Sequence, residues 1–173
     1  MPALTGCRHH ERNPHPNRPL LPCPHGLQLA ERLGFGIHGI IFVAEDNFKP
    51  GKTAIKAHNA EESYLRERQV YERLREARVS AILRFHVPQL IRFDDDLRVI
   101  EMTIVTRPFV LDFAGACLDV PPEFSDEIWA HWEAEKREQF DDRWPTVQAV
   151  LSALEELDIY MVDVSPSNIA FLD

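Results

Sequence analysis

The chain has 173 residues, of which 45% are hydrophobic and 27% charged, and this is the composition of a globular domain with its own core. No apolar run approaches the roughly 20 residues needed to cross a bilayer, and the N-terminus lacks the apolar segment of a secretory signal, so a cytoplasmic location is expected. The formal net charge of −9 argues against a nucleic-acid-binding protein, because phosphate backbones attract basic surfaces.

The first 26 residues are rich in Pro, His, Arg and Asn and show neither helical nor strand periodicity. Such a composition predicts a disordered tail. Five of its side chains belong to types that bind zinc: Cys7, His9, His10, Cys23 and His25. Their Cys-x-His spacing is too tight for the usual structural zinc site, which favours disorder over a metal site.

A glycine-rich segment follows the tail, and Gly34, Gly36 and Gly39 have the spacing G-x-G-x-x-G. This spacing allows a backbone to approach phosphate groups closely. In a dinucleotide-binding turn the last glycine opens a helix, but here residues 40–43 are β-branched or aromatic and predict a strand. The segment is therefore predicted to be a hairpin that covers a phosphate-bearing ligand.

The next segments predict three further strands and one helix. Residues 53–56 form a short strand that ends in a lysine, and residues 61–78 lack Gly and Pro and carry apolar side chains at helical spacing. Strands are predicted over residues 87–93 and 97–105, and the three aspartates between them are interpreted as a polar hairpin tip in preference to a cation site. With the glycine hairpin, these segments give five antiparallel strands and one helix.

The second half of the chain is predicted to be mostly helical. Pro121 and Pro122 precede an acidic helix with tryptophans over residues 123–142. Pro145 then starts a second helix, since proline is favoured at the first helical position. The apolar face of that second helix consists of Val147, Val150, Leu151, Leu154 and Leu157.

Residues 160–169 contain the pattern D-x-x-P-x-N, with Asp163 and Asn168 between an apolar helix and an apolar strand. The two residues are uninformative alone, because a β-turn at Pro166 explains them equally well. They become specific after a glycine hairpin, a strand lysine and a helix with glutamates, in that order. From residue 27 to residue 173 the chain resembles the protein kinase-like superfamily, in which these segments follow one another in the same order.

The resemblance implies an α+β fold of the protein kinase-like type. Residues 27–106 would form an N-lobe with a five-stranded antiparallel sheet and one helix. Residues 107–173 would form the hinge and a shortened, mostly helical C-lobe that ends after the catalytic loop. The tail, residues 1–26, would lie outside both lobes.

The resemblance also implies ATP and Mg²⁺ as cofactors. The nucleotide would lie under Leu33, Gly34, Gly36 and Gly39, and Lys56 would hold its phosphates. Backbone groups of the hinge at residues 104–107 would read the adenine edge.

Further roles follow from the same resemblance. Glu67 would be the helix glutamate that pairs with the strand lysine, and Glu62 and Glu72 are the alternatives. Asp163 would accept the proton of the acceptor hydroxyl, so that the lysine, Glu67 and Asp163 form the catalytic set. Asn168 would bind a metal that bridges the phosphates.

The chain departs from the family pattern at several positions, among them Ser165, where many serine/threonine kinases have a lysine. Met161 and Val162 stand where most protein kinases have His-Arg. Residues 110–115 resemble the metal-binding Asp-Phe-Gly segment, but they precede the catalytic loop, whereas the family places that segment after it. A chance match or a ribose contact is therefore favoured over a metal ligand. Mg²⁺ would need an unusual set such as Asn168 with Asp112 or Asp173, or a C-terminal extension that supplies the ligand.

Two main functions remain open at this stage. The first is an ATP-dependent phosphotransferase that acts on a protein or small-molecule hydroxyl. The second is a catalytically inactive, pseudokinase-like module that binds nucleotide or a partner, and a third hypothesis is a nucleotide-free interaction domain that uses the tryptophan helix. Neither a membrane nor a nucleic acid is expected as partner, whereas a shortened C-lobe is compatible with an oligomer.

Overall fold

The computed structural model describes residues 27–46 and 51–172. Three predictions lie outside these ranges: the tail with its Cys and His residues, the centre of the turn before the lysine strand, and Asp173 as an alternative metal ligand. None of the helices within the described ranges is long and apolar enough to span a membrane.

Five strands of the first half form the main sheet: β1 (Leu27–Gly36), β2 (Gly39–Asp46), β3 (Lys52–His58), β6 (Leu90–Asp94) and β7 (Val99–Thr103). Their order is β1-β2-β3-β7-β6, and all neighbours run antiparallel. The predicted five-stranded antiparallel sheet is therefore confirmed. Lys56 lies on the central strand, opposite Ile41 of β2 and Ile100 of β7.

One helix, α1 (Glu61–Glu76), packs on this sheet. Its buried face repeats every three or four residues, as in an amphipathic helix. That face consists of Ser63, Tyr64, Glu67, Val70, Tyr71 and Leu74. The helix ends two residues earlier than predicted, since Arg78 has a left-handed backbone conformation (φ 57°) that no helix continues through.

A second, smaller sheet lies beyond the main one and was not predicted. Its strands are two residues long: β4 (Ala81–Ile82), β5 (Phe85–His86), β8 (Phe109–Val110) and β11 (Ile169–Ala170), in the order β11-β8-β5-β4. A further pair joins β9 (Cys117–Leu118) to β10 (Ile159–Tyr160). These pairings bring the chain just after the hinge beside the chain that flanks the predicted catalytic loop.

Two helices make up most of the rest: α2 (Asp126–Phe140) and, after a 3₁₀ turn, α3 (Trp144–Glu155). The Ser125 hydroxyl accepts a hydrogen bond from the backbone N–H of Ile128 and so caps α2. Pro145 lies in the first turn of α3, as predicted. The predicted helices after residue 120 are confirmed, with the short strands as an addition.

The main hydrophobic core is continuous between the two halves. It includes Tyr71 of α1, Phe113 after β8, and Val147 and Leu154 of α3, all of them fully buried. The rings of Tyr71 and Phe113 meet edge to face with centroids 5.5 Å apart. The segment after the hinge thus packs against α1.

Candidate functional site

Lys56 is a buried cation with two carboxylate partners. Its side chain is 4% exposed, and its Nζ lies 2.6 Å from Oε2 of Glu67 and 2.7 Å from Oδ1 of Asp112. Burial by itself would lower the pKa of Lys56, but the two carboxylates outweigh burial and raise that pKa above its usual 10.5. The site therefore contains a fixed positive charge at neutral pH.

Glu67 is the helix glutamate that reaches Lys56. The two alternatives point elsewhere: Glu62 pairs with Arg66, and Glu72 lies 3.2 Å from Arg68. Oε2 of Glu67 also lies 2.7 Å from Nε2 of His58, a contact that sequence analysis did not anticipate. Oε1 of Glu67 is buried and has no hydrogen-bond partner within the described chain.

Asp112 lies just after β8, in the segment that resembles Asp-Phe-Gly. Its backbone is left-handed (φ 65°), a conformation that non-glycine residues adopt mainly at functional or turn positions. The preceding residue, Leu111, donates its backbone N–H to the carbonyl of Asn168 at 2.9 Å. A segment interpreted from sequence as a chance match or a ribose contact thus lies between Lys56 and the predicted catalytic loop.

The predicted catalytic loop is held in shape by Asn168. The side-chain amide of Asn168 donates to the backbone carbonyl of Asp163 at 2.7 Å. Its Oδ1 accepts from the backbone N–H of Ser165 at 2.8 Å and from the Ser165 hydroxyl. The Asp163 side chain, in contrast, is about half exposed, so its carboxylate is accessible to a substrate.

The tip of the glycine hairpin also reaches this loop. His38, in the two-residue turn between β1 and β2, has its Nε2 3.9 Å from Oδ2 of Asp163. A Cβ on Gly115 would lie 3.3 Å from Cβ of Asp163, so the end of the Asp-Phe-like segment touches the loop as well. Two segments that are distant from Asp163 in sequence, the hairpin tip and the segment that ends at Gly115, thus converge on it.

The three glycines of the hairpin differ in their surroundings. A Cβ on Gly39 would lie 2.1 Å from the carbonyl oxygen of Ala57 on β3, so only glycine lets the two strands pair there. Nothing lies within 4 Å of a Cβ built on Gly34 or Gly36. The space around Gly34 and Gly36 is open to a ligand, while Gly39 is needed by the fold.

A cavity of about 310 Å³ lies between the sheet and the hinge. Apolar side chains form most of its wall: Leu33, Ile41, Ala54, Met102, Ile104, Val105 and Leu111. Lys56, Glu67 and Asp112 form its polar end. A cavity of this size, apolar with a few charged groups at one end, suits a small organic ligand that has polar groups at one end.

The predicted site residues fall into two groups. Leu33, Lys56 and Glu67 line the cavity, whereas Asp163 and Asn168 lie in the adjoining loop. Among the described residues, no cluster of three or more His, Cys, Asp or Glu side chains is placed to hold a metal.

Strand order, the glycine hairpin, and the lysine–glutamate pair between β3 and α1 together define the fold as protein kinase-like. No protein-family model matches the chain, and no curated protein matches it. Among solved structures, the kinase domain of PknI from Mycobacterium tuberculosis is 18% identical to it with a TM-score of 0.38, over 83% of this chain and 54% of that one. A cysteine-to-alanine mutant of that domain is 18% identical to this chain with a TM-score of 0.35, and the match covers 76% of this chain and 48% of that one. This chain thus spans about half the length of the kinase domain it matches.

Proposed function

We propose that the protein binds ATP with Mg²⁺ in the cavity beneath the glycine hairpin and transfers the terminal phosphoryl group to a hydroxyl. The observation that carries the proposal is the position of Lys56. Its ammonium group is held between Glu67 and Asp112 at the polar end of the cavity. A buried cation in such a frame is suited to an anionic ligand such as a phosphate chain.

The two ends of the cavity fit the two ends of the nucleotide. The apolar wall, from Leu33 to Met102, suits an adenine ring. Backbone groups near Ile104 and Val105 would read the adenine edge, and Lys56 would hold the phosphates. Gly34 and Gly36 leave open space above that position, as a backbone over phosphates requires.

The oxygen ligands for Mg²⁺ would come from Asp112 and Asn168. Carboxylate and amide oxygens suit this hard cation, which also takes ligands from substrate phosphates. Oδ1 of Asn168 already accepts two hydrogen bonds from Ser165, so a metal contact there requires the Ser165 hydroxyl to turn away. Asp112 is therefore the stronger of the two candidates, and Mg²⁺ would neutralise charge on the phosphates.

The chain order of these ligands differs from the protein kinase pattern. There the metal-binding aspartate follows the catalytic loop, whereas Asp112 precedes it. The antiparallel pairing of β8 with β11 compensates, because it puts residues 110–112 directly beside the end of the catalytic loop. We propose that Asp112 takes the role that the downstream aspartate has in protein kinases.

Asp163 would serve as the general base. Its exposed carboxylate can accept a hydrogen bond from an acceptor hydroxyl and take its proton as the phosphoryl group moves. The hydrogen bond from Asn168 to the backbone carbonyl of Asp163 holds that residue in place. Nucleotide binding without transfer is the second candidate, and the fully occupied Oδ1 of Asn168 favours it.

Calorimetric titration with ATP, with and without Mg²⁺, tests the proposal. The native chain is expected to bind, and Lys56→Ala to reduce affinity at least tenfold through the loss of a charged contact. Lys52→Ala is the matched control, since Lys52 lies on the same strand but is exposed beside Glu45. Absence of binding by the native chain would contradict both nucleotide-binding candidates.

A second measurement separates the two candidates. Asp112→Asn keeps the shape of the side chain but removes its charge, so Mg²⁺ should no longer strengthen ATP binding. Release of ADP in the presence of protein or small-molecule hydroxyl acceptors reports transfer. Binding that is indifferent to Mg²⁺ and yields no ADP would support the inactive module.

A further inference from the structure

His58 lies two residues after Lys56 on β3, so both side chains project from the same face of the sheet. Both contact Oε2 of Glu67. We propose that His58 is a positioning residue that holds the Glu67 carboxylate toward Lys56. The proposal rests on the proposed function, in which Lys56 binds the phosphates of ATP.

The ring of His58 is fixed from two sides. Its Nε2 lies 2.7 Å from the Glu67 carboxylate, and its Nδ1 lies 3.3 Å from the backbone carbonyl of Arg98. A carboxylate that also accepts from an ammonium group has no hydrogen to donate, so Nε2 must carry one. The side chain is fully buried and meets the ring of Tyr64 edge to face, which leaves it little freedom.

The need for this contact follows from the burial of Glu67. Its carboxylate is 1% exposed, and Oε1 has no partner in the described chain. If Lys56 were its sole partner, any movement of the ammonium group toward phosphate would leave a buried charge unpaired, which is strongly unfavourable. The hydrogen bond from His58 gives Glu67 a partner that stays when Lys56 moves.

Two neutral substitutions separate the contacts of His58. The amide of His58→Asn reaches only the position of Nδ1, so it can donate to the carbonyl of Arg98 but no longer contacts Glu67. The longer His58→Gln places its amide near Nε2 and keeps the bond to Glu67. We expect MgATP binding to weaken about tenfold in His58→Asn and to stay within about threefold of the native chain in His58→Gln.

The same two substitutions at His131, which is exposed on α2, serve as the matched control and should leave binding unchanged. A double-mutant cycle that combines His58→Asn with Glu67→Ala then tests whether His58 acts through Glu67. In the Glu67→Ala background His58→Asn should have no further effect. Native affinity in His58→Asn, or an effect of unchanged size without Glu67, would overturn the proposal.

A measurement without nucleotide separates this proposal from the proposed function. In ¹⁵N NMR of the full chain, Nε2 of His58 should carry a hydrogen that is protected from exchange with solvent, and Glu67→Gln should remove the protection. Absence of a hydrogen on Nε2 would overturn the positioning role. Failure of the native chain to bind MgATP would instead contradict the proposed function and leave the NMR result standing.

Discussion

At the scale of single residues, the site consists of buried charged groups that pair with one another. Lys56 faces Glu67 and Asp112, and His58 shares Glu67. Removing one member of a buried ion pair leaves the other uncompensated, which costs more than the pair contributes when intact. Stability and nucleotide binding should therefore depend on the same few side chains.

Lys56→Met should lower the free energy of unfolding by about 3 kcal/mol, because Glu67 loses a charged partner while remaining buried. Lys52→Met on the same strand should change that free energy by less than about 0.5 kcal/mol, since its ion pair with Glu45 is exposed. Urea unfolding followed by circular dichroism measures both. Equal effects for the two variants would contradict the role assigned to burial.

The stability of the protein should fall at alkaline pH. The pKa of Lys56 is raised by its carboxylates, although burial opposes this, and burial raises the pKa of the Tyr71 hydroxyl well above its usual 10.0. In both cases the folded state holds a proton that the unfolded chain releases first, so the stabilisation is complete below about pH 10 and is lost as pH rises further. The free energy of unfolding should therefore decline as the pH rises above about 10.

Tyr71→Phe tests how much Tyr71 contributes to the loss of stability at alkaline pH. It removes one titrating group, so the decline above pH 10 should be less steep by about 1.4 kcal/mol per pH unit. Urea unfolding at several pH values between 8 and 11.5 gives the slopes. An unchanged slope would show that Tyr71 ionises equally readily in both states.

At the scale of elements, the glycine hairpin depends on close packing at one of its three glycines. Gly39→Ala should destabilise the fold by about 2 kcal/mol or more, because a Cβ there would lie 2.1 Å from the carbonyl of Ala57. Gly36→Ala is the matched control, with open space around its Cβ and an expected change below about 0.5 kcal/mol. Thermal unfolding distinguishes them, and similar melting temperatures would contradict the packing argument.

The long elements were predictable from sequence, because each repeats its buried positions often enough to show a period. Residues of α1 from Tyr64 to Leu74 show this for helices, and β2 shows it through β-branched and aromatic residues. Two-residue strands such as β8 and β11 have no period. Their pairing is a contact between distant segments, and sequence patterns do not report such contacts.

The site residues on long elements were likewise predictable from sequence, and those placed by short strands were not. Glu67 could be paired with Lys56 from the family resemblance, because it lies on the long helix α1 beside the packed face that includes Val70 and Leu74. Asp112 was noticed as a motif, but its neighbourhood depends on the pairing of β8 with β11. His58 follows Lys56 by two residues, so the alternation of a strand could have placed it on the same face.

At the scale of the whole molecule, the continuous core predicts that both halves unfold together. All three tryptophans lie in α2 and α3, so their fluorescence reports only the lower half, whereas circular dichroism reports the whole chain. The two urea transitions should coincide, as expected of a single cooperative unit. Separate midpoints would show that the lobes unfold independently, despite the contact between Tyr71 and Phe113.

The pairing of β8 with β11 has a consequence for how such sites are searched for. Asp112 precedes Asn168 in sequence, although the chain at residues 110–112 lies beside the same loop in space. A spatial comparison finds Asp112 as an aspartate that follows a strand paired with the strand after the predicted catalytic loop. The order of such residues along the chain can therefore differ between proteins. The arrangement of their side chains around the cavity is what should be compared.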